Sequence, residues 1–217
     1  MVQTYVPPGP LGSRACAADT CCAFDFLVYE LLELFVDSNS QCTQPARAAI
    51  RLGFHDAAAW STTAGFGGAD GSMLISPTEI YRPENAGLAD IVATGRGLLA
   101  KYGPFGVGAA DLVQMMANVA TVVCPLGPRI MSFVGRRDSP KSPTGLLPNV
   151  TSPADELIQL FVNKTFTPAD LAALLGAHST SNQFFVDPAL AGESQDTTPG
   201  VWDILYYSQT LSNASFP

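Results

Sequence analysis

The 217-residue sequence predicts a mostly α-helical fold, on three observations. Six Ala- and Leu-rich segments, near 22–36, 46–56, 87–101, 109–122, 153–163 and 168–178, carry apolar residues at helical spacing. The stretches between them, such as TTAGFGGADGS and GRRDSPKSPTGLLPN, have the composition of irregular loops pinned by something other than a strand ladder. A hydrophobic content of 47% is enough for one sizeable core or two small lobes, and no repeat or coiled-coil heptad interrupts the pattern.

Two of these segments carry the chemistry. In the helix over 46–56, Arg51 and His55 stand four positions apart, so both side chains lie on one face and can address the same small ligand. The helix over 168–178 opens on Thr167-Pro168-Ala169-Asp170: a threonine N-cap, a proline in the first turn and a carboxylate at the positive end of the dipole. His178 closes that helix.

Composition excludes some functions. A formal charge of −8 and an isoelectric point near 4.5 do not suit a phosphate backbone, which needs clustered Lys and Arg, so nucleic acid is not expected as a partner. No apolar run approaches the roughly twenty residues that span a bilayer. The start, MVQTYVPPGPLGSR, lacks the apolar core of a signal peptide, so a soluble protein is expected, its export signal removed or never present. Cys16, Cys21, Cys22, Cys42 and Cys124 fit neither a CxxC redox motif nor a zinc ribbon, and disulfides in an oxidising compartment explain them more simply than buried thiols. One cysteine is then left over. Sequons at Asn149, Asn163 and Asn213 agree with export, although such triplets also arise by chance.

The chain contains only two histidines, and either alone would most simply be a satisfied core residue. Their surroundings differ. His55 shares its helix face with Arg51, whereas His178 is flanked by Gly176, Ala177 and Ser179, which would let a flat macrocycle approach the backbone. Asp56 follows His55 directly, and Gly68, Asp70 and Ser72 bring a carbonyl, a carboxylate and a hydroxyl together, a hard oxygen set that suits calcium. The competing reading is a Gly-rich turn satisfying its own backbone. A second oxygen set begins at Ser179 and resumes through Asp196, Thr198 and Asp203.

Ala46-Arg47-Ala48-Ala49-Ile50-Arg51-Leu52-Gly53-Phe54-His55-Asp56-Ala57 resembles the distal-site signature of plant and fungal haem peroxidases, and Asp170 through Ser179 resembles their proximal signature. The resemblance runs from Cys21 to the end of the chain and is closest to the secreted fungal enzymes that include the lignin and manganese peroxidases. It implies a two-lobe helical fold with haem b between a distal and a proximal helix, an N-terminal extension over 1–20 and a peroxidase domain over 21–217. His178 would be the axial iron ligand. His55 would move a proton between the two oxygens of hydrogen peroxide as their bond breaks, Arg51 would stabilise the leaving oxygen, and Phe54 would form part of the distal wall. Asn85 and Glu79 fall where the family orients the distal histidine through a hydrogen-bond relay. Two calcium ions are implied, one held by Asp56, Gly68, Asp70 and Ser72 and one by Ser179, Asp196, Thr198, Val201 and Asp203. Cys42 would pair with Cys124 and Cys16 with Cys22. The implied protein is an extracellular monomer taking hydrogen peroxide and small aromatic reductants.

The match also departs from the family. Gln44, Ala48 and Phe184 occupy the positions of the manganese ligands, and Ala173 that of the surface tryptophan of lignin-oxidising members. Trp60 and Trp202 lie elsewhere and suit packing. Small phenols or dyes oxidised at the haem edge are the donors these departures leave. The family's chains continue past the position of Pro217 and supply there an aspartate for the proximal histidine and a partner for Cys21; a truncated or degenerate short form is therefore expected. The runner-up is a secreted calcium-bound scaffold that keeps the fold but has lost catalysis. A two-histidine metallohydrolase is weaker, because it needs a third ligand and an HExxH-like spacing that the chain lacks.

Overall fold

A computed structural model describes residues 5–212. Nine α-helices are found among them, joined by short 3₁₀ turns, with two isolated bridges and no sheet. After a one-turn helix α1 (Arg14–Ala17) come α2 (Cys22–Phe35), α3 (Gln44–Ala57), a short α4 (Ser72–Ile75), α5 (Ala89–Tyr102) and α6 (Ala109–Val123). A long irregular stretch leads to α7 (Ala154–Val162), α8 (Pro168–Leu175) and α9 (Leu205–Ser212). The six predicted helices are present with ends shifted by a residue or two, except the last.

Local chemistry sets the helix ends. Thr43 caps α3 by accepting the amide of Ala46, with Pro45 in the first turn. Thr167 and Asp170 form a reciprocal capping box on α8. That α-helix ends at Leu175, so His178 does not close it; the histidine lies in a 3₁₀ segment, Gly176–Thr180. The hydroxyl of Thr180 donates to the carbonyl of Ala177 and that of Ser181 to the carbonyl of His178, three residues back in each case, which favours the tighter winding.

The core is drawn from residues 23–124: Phe24, Leu27, Leu31 and Phe35 of α2, Ala46, Ala49 and Leu52 of α3, and Leu112, Val113 and Met116 of α6 are all buried in one cluster. Helix α3 packs most extensively on α6, and glycine makes this possible. A Cβ on Gly53 would lie 2.4 Å from the Cβ of Ala117, so the helices meet at a distance that a methyl group would not permit. The Cys42–Cys124 disulfide joins the start of α3 to the end of α6, and Cys16–Cys22 ties the N-terminal extension to α2. Both are the pairings that the resemblance implies. Cys21 is exposed and unpaired.

The loops are held by carboxylates. Asp138 accepts the amides of Ala109 and Ala110, capping α6 from a distant loop, and Asp111 accepts the amides of Gly135 and Arg136. Beyond the core, Phe161 is the one fully buried side chain in α7, α8 and α9.

Gly53→Ala is expected to destabilise the fold by about 1–3 kcal/mol through overpacking, and Ala117→Gly should recover part of that loss in the double variant. Urea unfolding of the four proteins checks this. Additive losses would mean that the two positions do not meet.

Candidate active site

Burial of α3 on its apolar face leaves Arg51 and His55 together on a second, partly enclosed face. Arg51 Nε donates to His55 Nε2 at 3.1 Å, and its two terminal nitrogens donate to the carbonyls of Ala86 (2.7 Å) and Glu84 (3.2 Å). The guanidinium is thus fixed at three points. On the other side of the imidazole, Asn85 Oδ1 lies 2.8 Å from His55 Nδ1, and the Asn85 amide donates at 2.8 Å to the backbone carbonyl of Glu79. The amide oxygen can only accept, so Nδ1 carries the proton and Nε2 keeps its lone pair. The relay ends on the backbone of Glu79, not on its carboxylate, which accepts from Ser142 Oγ and faces Arg82.

His55 is 8% exposed, and its pKa is lowered to about 4, first by burial and then by the Arg51 charge, against the opposing pull of Asn85. It is therefore a neutral base at ordinary pH. Phe54 stands edge-on to the His55 ring and stacks with Phe161. Lys164 carries no signal in its sequence surroundings. Its buried ammonium donates to the carbonyls of Ala58 and Trp60, at 2.8 and 2.6 Å, and ties the second half of the chain to the end of α3. Read in sequence, it is simply the polar middle residue of a sequon.

His178 lies across from this face. Its Nδ1 is hydrogen-bonded to Gln195 Oε1, and the ring of Tyr206 stacks on the imidazole with centroids 5.2 Å apart. Burial lowers its pKa; the Gln195 hydrogen bond acts against this, while the charge of Arg51 adds to it. One guanidinium is thus felt by both histidines. Phe185 reaches the same place: a Cβ on Gly87 would meet its ring at 2.4 Å and Arg51 Nη1 at 3.4 Å. Neither Gln195 nor Tyr206 was foreseeable: Gln195 is a loop residue, and Tyr206 stands in the first turn of α9, a helix that the sequence reading did not include.

Hydrogen bonds draw together parts of both oxygen sets, with none linking Ser179 to the others of its set among the described residues. Asp56 accepts the amides of Gly71 and Met73, Asp70 that of Ser72, and the carbonyl of Gly68 that of Asp70. Gly71 is in the left-handed region at φ 75°, where a Cβ would lie 2.4 Å from the Ala110 amide nitrogen. Burial pushes Asp56 up to about 7 and Asp70 upward too. In the second set, Thr198 Oγ1 donates to Asp203 at 2.7 Å, the Thr198 amide donates to Asp196 and the Val201 amide to the Thr198 carbonyl. Among the described residues, six buried side-chain oxygens lack a hydrogen-bond partner, and four of them are Asp70 Oδ2, Ser72 Oγ, Ser179 Oγ and Asp196 Oδ2. Oxygens of this kind turned inward without donors fit a hard cation better than a self-satisfied turn.

The family model described as "Peroxidase" matches residues 28–216. This chain belongs to the peroxidase family. Curated relatives include versatile peroxidase VPS1 of Pleurotus eryngii, 31% identical over 93% of this chain and 56% of its own length. A peroxidase of Arthromyces ramosus is 32% identical over 92% of the chain and 56% of its own. Ligninase LG6 of Phanerodontia chrysosporium is 34% identical over 95% and 57%. The peroxidase-family chain therefore spans a little over half the length of the curated relatives it matches. No three His, Cys, Asp or Glu side chains converge as a metal-binding group among the described residues. Trp202 packs against the core and donates to the Thr121 carbonyl, as a packing residue would.

The His55 environment sets an acid limit on stability. Above about pH 6.5 the group is neutral whether folded or unfolded; as pH falls, the unfolded chain takes up a proton that the folded chain binds only near pH 4. Wild type should lose about 3 kcal/mol more than His55→Gln between those limits in urea unfolding. Parallel pH profiles would show that His55 is not desolvated.

Proposed function

We propose that the chain forms the haem-binding core of a secreted peroxidase that reduces hydrogen peroxide and oxidises small phenolic or dye-like donors in one-electron steps. The observation that carries this reading is the chain of contacts from the Glu79 carbonyl through Asn85 and His55 to Arg51, which presents a neutral imidazole lone pair beside a fixed cation. His178 Nε2 would hold the iron of haem b; its Nδ1 is already engaged by Gln195, so Nε2 is the nitrogen left to ligate. Bound haem supplies the redox chemistry and stores the oxidising equivalents released when peroxide is reduced.

The protein's own residues handle protons and charge. His55 Nε2 accepts a proton from one oxygen of hydrogen peroxide and returns it to the other as the O–O bond breaks, so the departing group leaves as water. Arg51 stabilises the negative charge on that oxygen, and with its three hydrogen bonds already made it needs little reorganisation to do so. Phe54 limits the space above the site. With two donor molecules each giving up one electron and one proton, one hydrogen peroxide would be converted to two waters and the donors to two radicals.

Gln44, Ala48 and Phe184 offer no carboxylate for manganese, and Ala173 no aromatic ring at the surface, which favours donors that reach the haem edge directly. Calcium at the two oxygen sets would hold the segments that carry the two histidines, because Asp56 follows His55 and Ser179 follows His178. Two disulfides and the exposed sequon asparagines Asn149 and Asn163 favour an extracellular protein; the third sequon lies outside the described residues.

The deciding experiment is an absorption spectrum of the chain reconstituted with haem and calcium, before and after one equivalent of peroxide. A Soret band that shifts with peroxide and is lost or displaced in His178→Ala is expected, and His55→Leu should slow the peroxide reaction by roughly 10²–10⁴-fold. Absence of specific haem uptake would instead favour a calcium-bound scaffold without catalysis. Calcium is expected to raise the unfolding free energy by about 2.7 kcal/mol at a hundredfold excess over its dissociation constant, reversed by chelator and diminished in Asp70→Asn. A calorimetric scan indifferent to calcium would remove the cation from this account.

A further inference from the structure

The irregular stretch between α6 and α7 is fixed where it passes the relay that ends on Glu79. Asp138 accepts the amides of Ala109 and Ala110, the Ser139 amide donates to the Asp70 carbonyl at 2.9 Å, and Pro143 packs so closely on Gly67 that a Cβ there would lie 2.7 Å from its Cδ. Held at these points, the segment delivers Ser142 to the 3₁₀ turns before α5. Arg82 grips it there with both terminal nitrogens: Nη1 donates to Ser142 Oγ and to the Pro143 carbonyl, and Nη2 to the Ser142 carbonyl, each at 3.0 Å. A guanidinium can only donate, so the hydrogen of Ser142 Oγ is left for an acceptor of its own. The closer of two is Glu79 Oε1 at 2.5 Å; the Pro143 carbonyl, at 3.3 Å, is the weaker alternative. Glu79 is 1% exposed and tied at every polar group. Its amide donates to Ser76 Oγ at 3.3 Å, and its carbonyl accepts the Arg82 amide at 3.0 Å and the Asn85 side-chain amide at 2.8 Å. Its second carboxylate oxygen has no partner among the described residues, so the Ser142 hydroxyl is the one hydrogen bond that this buried carboxylate holds there.

We propose that Ser142 is a positioning residue for His55: by holding the buried Glu79 carboxylate it fixes the Glu79 carbonyl, which in turn keeps the Asn85 amide oxygen toward His55 Nδ1. The proposal rests on the reading of His55 as the base that takes the peroxide proton. Its chemistry follows from the two ends of an amide. With its NH2 group anchored on the Glu79 carbonyl, Asn85 offers His55 an acceptor, and Nε2 keeps its lone pair. Released from that carbonyl, the amide can turn over and offer its NH2 group, which selects the opposite tautomer, with Nε2 protonated and unable to accept. Without the Ser142 hydroxyl the carboxylate loses its hydrogen bond in a buried site, and the turn that carries the Glu79 carbonyl shifts to recover one.

The first test needs no haem. Long-range ¹H–¹⁵N spectra of chain labelled at histidine, assigned with His55→Gln and His178→Ala, report the tautomer of each ring at neutral pH. Wild type should show a single Nδ1–H tautomer at His55 and Ser142→Ala a mixture with the Nε2–H form, while His178 is unchanged. Ser142→Thr, which keeps the hydroxyl, should match wild type, whereas Ser142→Val, of the same shape without it, should give the mixture; this pair also decides the matter if Ser142→Ala does not fold. A wild-type His55 protonated at Nε2, a His55 that keeps its tautomer without the hydroxyl, a loss that Ser142→Thr shares, or a change that appears equally at His178 overturns the proposal.

The second test uses the chain loaded with haem and calcium. Ser142→Ala and Ser142→Val should slow the reaction with hydrogen peroxide by roughly 10–100-fold, the loss typical of a group that orients an acting side chain, with Ser142→Thr near the wild-type rate. Equal rates in all four proteins also overturn the proposal. If no haem binds, or if wild type with haem does not react with peroxide, the peroxidase reading fails on its own, and the tautomer result still decides whether Ser142 sets the orientation of His55.

Discussion

Helix α3 is buried on two sides, and that double burial constrains the rest of the molecule. On one side Ala46, Ala49, Leu52 and Gly53 press against α6 closely enough to exclude a methyl group at position 53. On the other, Arg51 and His55 are drawn out of water and must find partners, because unsatisfied polar groups in that environment cost more than their hydrogen bonds return. The partners come from the 3₁₀ turns before α5 and the residue that follows them: Glu84 and Ala86 supply two backbone carbonyls and Asn85 an amide oxygen, with Asn85 itself held by the Glu79 carbonyl. A helix packed on only one face would not need those turns in that place.

The same logic extends outward from α3. Its C-terminal end meets a lysine from the second half of the chain, and a cation at a helix C-terminus is favoured by the dipole as well as by the carbonyls it reaches. Asp56, one residue after His55, faces the Gly71 turn and the oxygen set beyond it. Arg51 and Asp56 are thus held by the helix whose other face the core already fixes. The second half is different. Its helices bury a single aromatic side chain fully, and its order around His178 comes from hydrogen bonds: the capping box, the 3₁₀ hydroxyls, the Gln195 pairing and the Asp196–Thr198–Asp203 network.

This difference explains what was legible in the sequence. Arg51 and His55 could be assigned to one face because helical periodicity is a local property, and the core that enforces it lies on the same helix. Asn85 was found only through the family motif, since nothing in its neighbours marks a residue thirty positions away as a histidine partner. The 3₁₀ winding at His178 was missed because its apolar pattern continues through Ala177, while the hydroxyls that tighten the turn lie beyond the apolar run. Lys164 and Gln195 left no pattern at all: each acts through contacts made across a loop, and loop contacts have no period.

The two histidines, each preceded by Leu-Gly-x but flanked differently on the C-terminal side, share one physical arrangement. His55 is buried and His178 half-buried, each has its pKa lowered, and each is met at Nδ1 by the oxygen of a side-chain amide, Asn85 in one case and Gln195 in the other. An amide oxygen accepts a hydrogen bond without adding charge, and the positive charge of Arg51 lowers both pKa values. Function then divides by what faces each Nε2. His55 faces the Nε–H of Arg51, a donor that a small polar ligand could displace, which suits a base that takes and returns a proton. His178 has small residues on its own segment and a tyrosine stacked on one ring face, which suits a nitrogen that binds and stays bound.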